Sequence, residues 1–252
     1  MVFESILNPI FLPLFTLPSA ISIAIISVLL SFIVTIVYKY TTDQKMMKEL
    51  KDHMKEMQKK IKEHRSDPKK AMELQKQAME SNMKYMVHSF KPTLITFIPI
   101  IILFGYLNSV MAYYPIMPGQ EFSTTAAFAK GTIGRVTLTV PQGFEMNGNA
   151  TQPIKENQAS WQLKAPAGTF YLKYEYNGQV QQKQVIITGQ RQYAPVLEAY
   201  KNSPIVSVRL NNQAIHPFGG LSIFGWMPGW LGTYIIFSIA ASMVFRKFLN
   251  VY

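Results

Sequence analysis

Three long stretches of this chain carry no charged side chain: residues 19–38, 92–120 and 217–245. A helix rises about 1.5 Å per residue, so roughly 20 apolar residues cross a hydrocarbon core of about 30 Å. Each stretch is long enough, and each has Lys or Arg at one end. One such run fits a buried core helix of a soluble protein. Three with basic flanks predict three membrane spans.

The basic residues predict an orientation. Residues 39–91 hold 14 Lys/Arg against 8 Asp/Glu, while residues 121–216 hold 9 against 5 in a longer stretch. Short loops rich in Lys and Arg stay in the cytoplasm. That places the N-terminus outside, residues 39–91 inside, residues 121–216 outside and the C-terminus inside, in the cell membrane. Only 15 % of the 252 residues are charged, and none is cysteine. Disulfides, thiolate metal sites and cysteine nucleophiles are excluded together. The N-terminus lacks a basic segment and a small-residue cleavage site, so the first span is expected to remain as an anchor.

The expected fold is a multi-pass α-helical membrane protein with an inserted all-β, sandwich-like domain outside. Its parts run as follows: an interfacial segment over 1–18, a first span over 19–40, a cytoplasmic coiled-coil hairpin over 41–91, and a second span over 92–116. The β domain follows over 117–220, then a third span over 221–245 and a tail over 246–252. Asn8-Pro9, Pro13 and Pro18 interrupt the first segment, which fits a helix lying on the membrane surface. Ser27, Ser31 and Thr35 share one face of the first span. Two readings stand: they meet a neighbouring helix or water, or they bond back to their own helix carbonyls.

In the hairpin, Met47, Leu50, Met54, Met57 and Ile61 recur at spacings of three and four, as an antiparallel pair requires. Asp67-Pro68 predicts the cap and first residue of a second helix. That helix presents Met72, Met79, Met83 and Met86, with Gln75 and Asn82 interrupting its seam. Eight of the 14 methionines fall in this region. Met is flexible and polarizable and suits surfaces that accept varied apolar partners. It serves equally as core filler, so docking surface and ordinary packing both remain open.

Pro99 is expected to kink the second span, and Asn108 to face protein or hydrated interface. Between residues 121 and 216, alternating runs at Arg135–Val140, Ala159–Lys164, Thr169–Tyr176, Gln179–Thr188, Ala194–Tyr200 and Ile205–Leu210 predict six or seven strands. Asn177-Gly178 marks a type I′ hairpin. No catalytic constellation, metal cluster or cofactor motif stands out, and the chain reads as a non-enzyme. Trp226 and Trp230 suit one membrane interface, Arg246 and Lys247 the other.

The first span, basic methionine-rich hairpin, second span and a last span reading Gly225-Trp226-Met227-Pro228-Gly229-Trp230-Leu231-Gly232-Thr233-Tyr234 together resemble the archaeal YidC-like proteins. These belong to the YidC/Oxa/Alb insertase superfamily. Relatives are the third subunit of the ER membrane complex, the Get tail-anchor insertase, and the transmembrane and coiled-coil ER protein. The resemblance covers about residues 15–112 and 221–252. The long 121–216 segment departs from it, as does the lack of a basic residue inside any span.

The resemblance implies an insertase that captures apolar helices and passes them into the bilayer through a polar groove. The implied groove residues are Ser27, Ser31, Thr35, Thr96, Thr233, Ser238 and Ser242. Client docking falls to Met47, Met54, Met57, Met72, Met79, Met83 and Met86. Lys39, Lys45, Lys48, Lys51, Lys55, Lys59, Lys60 and Lys62 would contact ribosomal RNA or lipid, or simply set topology. Expected partners are nascent or tail-anchored membrane proteins, the ribosome and membrane lipid. Two other functions fit the layout: a receptor with an external β sensor domain, and a small cation channel.

Overall fold

A computed structural model describes residues 4–222 and 225–251. Residues 1–3 of the expected interfacial segment, residues 223–224 of the expected third span, and Tyr252 lie outside them. The chain divides into two bodies: Met1–Phe104 with Leu231–Tyr252, and Gly105–Trp230.

The first body is helical. Helix α1 (Glu4–Phe11) and a 3₁₀ turn (Leu12–Thr16) precede α2 (Ser19–Thr41). Pro18 ends the turn and starts α2, and Ser22 Oγ donates back to Leu14 O at 2.7 Å. The Asp43 carboxylate caps α3 (Gln44–Glu63), accepting from the Lys45 and Met46 N–H groups. Asp67 caps α4 (Pro68–Met111) through the Lys70 N–H at 3.2 Å, with Pro68 as first residue. Three helices, α2, α4 and α5 (Trp230–Phe248), are long and apolar enough to cross a membrane.

Two expected boundaries shift. The expected junction of hairpin and second span at Lys91–Pro92 is continuous helix, α4 running unbroken through Pro92 and Pro99. A proline forfeits its own ladder bond and strains the turn before it, and the long flanking helix tolerates this. Helix α4 stops at Met111 instead of residue 116, where Tyr113 leaves to bridge Ala214. The last helix begins at Trp230 instead of residue 221, since Pro228 disfavours helix before it and Gly225 sits at φ +81°. It ends with Asn250 in the left-handed region (φ +49°) and the Val251 N–H bonded to Arg246 O at 2.9 Å.

The second body is a β-sandwich preceded by the last turns of α4. One sheet runs β3 (Glu145–Asn147), β5 (Gln158–Lys164), β1 (Glu121–Phe128), β9 (Ile205–Leu210), β8 (Leu197–Ala199). The other runs β4 (Thr151–Pro153), β2 (Arg135–Thr139), β6 (Gly168–Tyr176), β7 (Gln179–Ile187). Every strand pair within them is antiparallel. Asn177 and Gly178 take positive φ in the β6–β7 turn, as type I′ geometry demands. The core interleaves Phe122, Trp161, Leu163 and Val208 from one sheet with Leu138, Leu172, Tyr174 and Val185 from the other.

Polar atoms inside this core are partnered. Tyr174 shares a 2.5 Å hydrogen bond with Thr124, and Trp161 donates to Ala150 O at 2.8 Å. Lys183 of β7 is fully buried, donates to Pro195 O and lies 3.3 Å from Glu198 of β8, linking the two sheets. β7 is an edge strand, and an inward charge on an edge discourages pairing with another chain.

Burial pushes the Tyr174 and Tyr200 phenols up, and that of Tyr193 up to about 12. A phenol that ionises only after unfolding favours the unfolded chain above pH 10, so stability falls as pH rises. Burial lowers the Lys183 ammonium despite Glu198. That works the other way, adding stability as pH climbs to 10.5 and nothing beyond it. Three phenols outweigh one ammonium, so the net loss sets in at about pH 10. There Tyr174 contributes up to about 1.4 kcal/mol per pH unit. Denaturant titrations at pH 9 and pH 11 should show this slope, and Tyr174→Phe should flatten it.

Candidate helix-entry face

Helix α2 turns one stripe inward: Ser22, Ile23, Ile26, Ser27, Ser31, Thr35 and Tyr38 are buried. Small side chains on this stripe let α5 come close. Ser27 Oγ donates to Ile23 O at 2.7 Å, with Tyr234 O on α5 at 3.4 Å. Ser31 Oγ donates to Ser238 O on α5 at 3.2 Å, and Thr35 Oγ1 to Ser31 O at 2.6 Å. Phe32 meets Phe245 edge-on at 5.3 Å. Thr233 is buried, and its Oγ1 has no hydrogen-bond partner among the described residues.

Ser27 and Ser31 therefore line the α2–α5 seam, Thr35 and Thr233 are buried as well, and the assignment of these four to an open groove is corrected. Away from water the hydroxyls of Ser27, Ser31 and Thr35 are satisfied by helix carbonyls. Ser238 bonds to Ile235 O and, like Ser242, is half-buried on α5. Because Ser27 Oγ bonds mainly within its own helix, Ser27→Ala should change stability by no more than about 1 kcal/mol. Ser27→Leu should cost about 1–3 kcal/mol by overpacking. Unfolding of the detergent-solubilised chain, followed by circular dichroism, separates the two.

Helix α4 behaves differently. It is held by a 3.0 Å hydrogen bond between Tyr38 and Ser89, and by an edge-on contact of Phe104 with Tyr234 at 4.9 Å. Residues 89 and 104 stand about 22 Å apart along a helix. Between them, residues 93–95, 97–99 and 101 are exposed, and Thr96 is half-buried. Successive residues turn by about 100°, so these positions cover about 240° of the circumference, and buried Pro92 with half-buried Thr96 and Ile100 occupies the remaining face. Over that exposed arc the helix is open laterally. Thr96, one of the expected groove residues, bonds to Pro92 O and Thr93 O in its own helix, each at 3.1 Å.

The methionines split into two groups. On α3, Met47 and Met57 are buried at 0 % and 4 % exposure, and Met54 is half-buried. Met47 packs with Tyr38, Tyr85, Leu249 and Val251, and the Arg246 guanidinium sits 5.0 Å over the Tyr38 ring. Docking through Met47 and Met57 is thus corrected: both are core. On α4 the inward positions are Ala71, Leu74, Ala78, Ser81, Tyr85 and Ser89, at spacings of three and four. Ser81 meets His53 of α3 at 2.9 Å. Met72, Met79, Met83 and Met86 face out, each more than half exposed.

That outward stripe does not stop at the last methionine. Met79, Met83, Met86, Phe90, Leu94, Phe97 and Ile101 follow at spacings of four, three, four, four, three and four, and all are exposed. At about 100° per residue they drift only about 40° over 22 residues. One apolar track runs along α4 from its charged half into its uncharged half. The repeat of Met spacing by Phe90, Leu94, Phe97 and Ile101 is visible in the residues alone, though the uncharged run hides it.

The basic residues lie mostly on the surface. Lys45, Lys48, Lys55, Lys59 and Lys62 are exposed, and Lys39, Lys51 and Lys60 half-buried. Lys60 pairs with Glu56 at 2.6 Å and Lys84 with Glu80 at 2.9 Å, and each lysine holds its partner's carboxyl below the usual range.

Three apolar helices, a basic amphipathic helix and a β-sheet region define an integral membrane protein. The chain belongs to the family described as "Integral membrane protein EMC3/TMCO1-like", whose sequence model matches residues 4–148. That family sits in the YidC/Oxa/Alb insertase-related superfamily and is consistent, in general, with a membrane insertase role. The match takes in α1 to α4 and the first three strands, and ends before α5. No curated protein and no solved structure matches the chain.

Proposed function

We propose that this protein is a membrane insertase, acting without covalent chemistry, that delivers apolar helices into the bilayer along α4. The observation that carries the reading is the unbroken exposed stripe from Met79 to Ile101, which ends in a stretch of helix exposed over about two thirds of its circumference. An apolar client helix in water exposes surface worth about 25 cal/mol per Å². The Met-rich half covers part of that surface, and polarizable side chains adapt to different clients. Sliding toward Phe97 and Ile101 then exchanges water for lipid step by step. The polar flank of the client pays a high desolvation cost in intact hydrocarbon. Beside this exposed arc, displaced lipid shortens that dry path, and exposed Thr93 offers a hydroxyl.

The family assignment supports the same reading. The density of Lys and Arg in residues 39–91 supports a cytoplasmic helical pair of coiled-coil type, an external β domain and a cell-membrane location. The exposed lysines of α3 suit rRNA phosphate or anionic lipid, with affinity falling as salt rises. The archaeal YidC-like resemblance agrees with this arrangement.

The test is reconstitution of the full chain into liposomes with a short-tailed, single-span client. Protease protection of the client should rise well above that in empty liposomes; equal protection would remove the proposal.

A further inference from the structure

Attachment of a sugar chain to asparagine nitrogen requires Ser or Thr two residues further on, any residue but Pro between, and a surface segment outside the cytoplasm. Of the 11 asparagines in the chain, Asn149 alone meets the sequence condition, in Asn149-Ala150-Thr151. The triplet falls in the β domain, in the short connection that passes from β3 in one sheet to β4 in the other. Asn147, Asn177 and Asn202 are just as exposed, but none has a hydroxyl two residues later.

The local geometry suits an acceptor. Residues 147–150 are all exposed, and the Asn149 side-chain amide has no hydrogen-bond partner among the described residues. The backbone beneath it is held. Asn149 O accepts from the Gln152 amide at 3.0 Å, and Ala150 O accepts from the Trp161 indole at 2.8 Å and the Leu138 N–H at 2.9 Å. A substituent on Asn149 therefore stands on a fixed point and displaces no core side chain. Thr151 opens β4, a three-residue strand at the edge of its sheet, and its hydroxyl lies 2.9 Å from that of Thr137. So short an edge opens at little cost, which gives an enzyme access to the hydroxyl.

We infer that Asn149, with the β domain outside as proposed above, carries an N-linked oligosaccharide received from a lipid-linked sugar phosphate. The side-chain nitrogen forms a bond to the anomeric carbon of the first sugar and gives up one proton. The bond from that carbon to the donor's phosphate oxygen breaks, and the oxygen keeps the electron pair. The hydrated, bulky chain then stands beside the β4 edge, where it opposes pairing with a second molecule.

The full chain is purified from the membranes of its own cells and its peptides are read by mass spectrometry. The peptide holding Asn149 should carry an oligosaccharide on most chains. Asn149→Gln and Thr151→Val should each remove it, and Thr151→Ser should keep it, with the domain still cooperatively folded. A bare Asn149, or a sugar chain that survives Thr151→Val, overturns the assignment. Lys130→Asn completes a second triplet with Gly131 and Thr132 between β1 and β2, where Lys130 and Gly131 are exposed. If Asn149 is bare, a sugar chain at position 130, or cleavage of the β domain by protease added outside intact cells, means that the assignment alone has failed. With neither, the external placement fails as well. No client is present, so failure of the insertase activity would leave this result untouched.

Discussion

Replacing Met79, Met83, Met86 and Phe90 together by Ser lowers capture of an apolar client helix by at least about 100-fold. Complete burial of one such side chain contributes roughly 1.5–3 kcal/mol, and half-covering four of them gives about 3–4 kcal/mol or more. All four side chains are already exposed, so the folded chain loses little of its own packing. Binding of a fluorescent single-span peptide, together with an unchanged thermal melt, checks both halves of this statement. The matching change on α3 behaves in the opposite way. Met47→Ser and Met57→Ser strike buried positions and should destabilise the helical pair by about 2–5 kcal/mol. If the α3 variants lost client binding at full stability while the α4 variants kept it, the two helices would have to exchange roles.

Trp161→Ala destabilises the β-sandwich by about 3–5 kcal/mol, enough to consume much of the stability of a domain this size. Trp161 is 2 % exposed, lies edge-on to Tyr174 of the facing sheet at 5.7 Å, and donates to Ala150 O. The substitution opens a cavity between the sheets, while Ala150 O keeps its bond from the Leu138 N–H. Hydrogen exchange over residues 121–210 should accelerate throughout the domain. Acceleration confined to β5 would mean that the sheets do not unfold as one unit.

Much of this architecture could be read from the residues, for reasons that differ by element. Uncharged length marks membrane helices whatever they pack against, which is why α2 stood out to within a residue. Asn177-Gly178 gave the β6–β7 hairpin because few other dipeptides accept two positive φ angles. Strand β1 went unread, although it is central, pairing with both β5 and β9. Its Ser123-Thr124-Thr125-Ala126-Ala127 run carries little apolar contrast; Thr124 and Ala126 are buried because the packed sheets leave room only for small residues. β3 and β4, three residues each, offer no period to detect.

The candidate site was legible only in part. Hydroxyls at spacing four identify a face, but not whether it turns to water or to another helix. The carbonyls of Tyr234 and Ser238, more than 200 residues away in sequence, decided that. The methionines of α3 and α4 look alike as a pattern. What separates them is a second period on α4, Ala71 to Ser89, whose small residues take the inward positions and turn the methionines out. Small side chains take the packed face of α4 because close helix approach favours them.

The most direct measurement places a photo-crosslinking amino acid at single positions of the reconstituted chain during client insertion. Crosslinks to the client should form from Met83, Phe90, Phe97 and Ile101, and be absent from Ile26 and Ser27 in the α2–α5 seam. Crosslinks from Ile26 and Ser27, with none from Phe97 and Ile101, would contradict entry along α4.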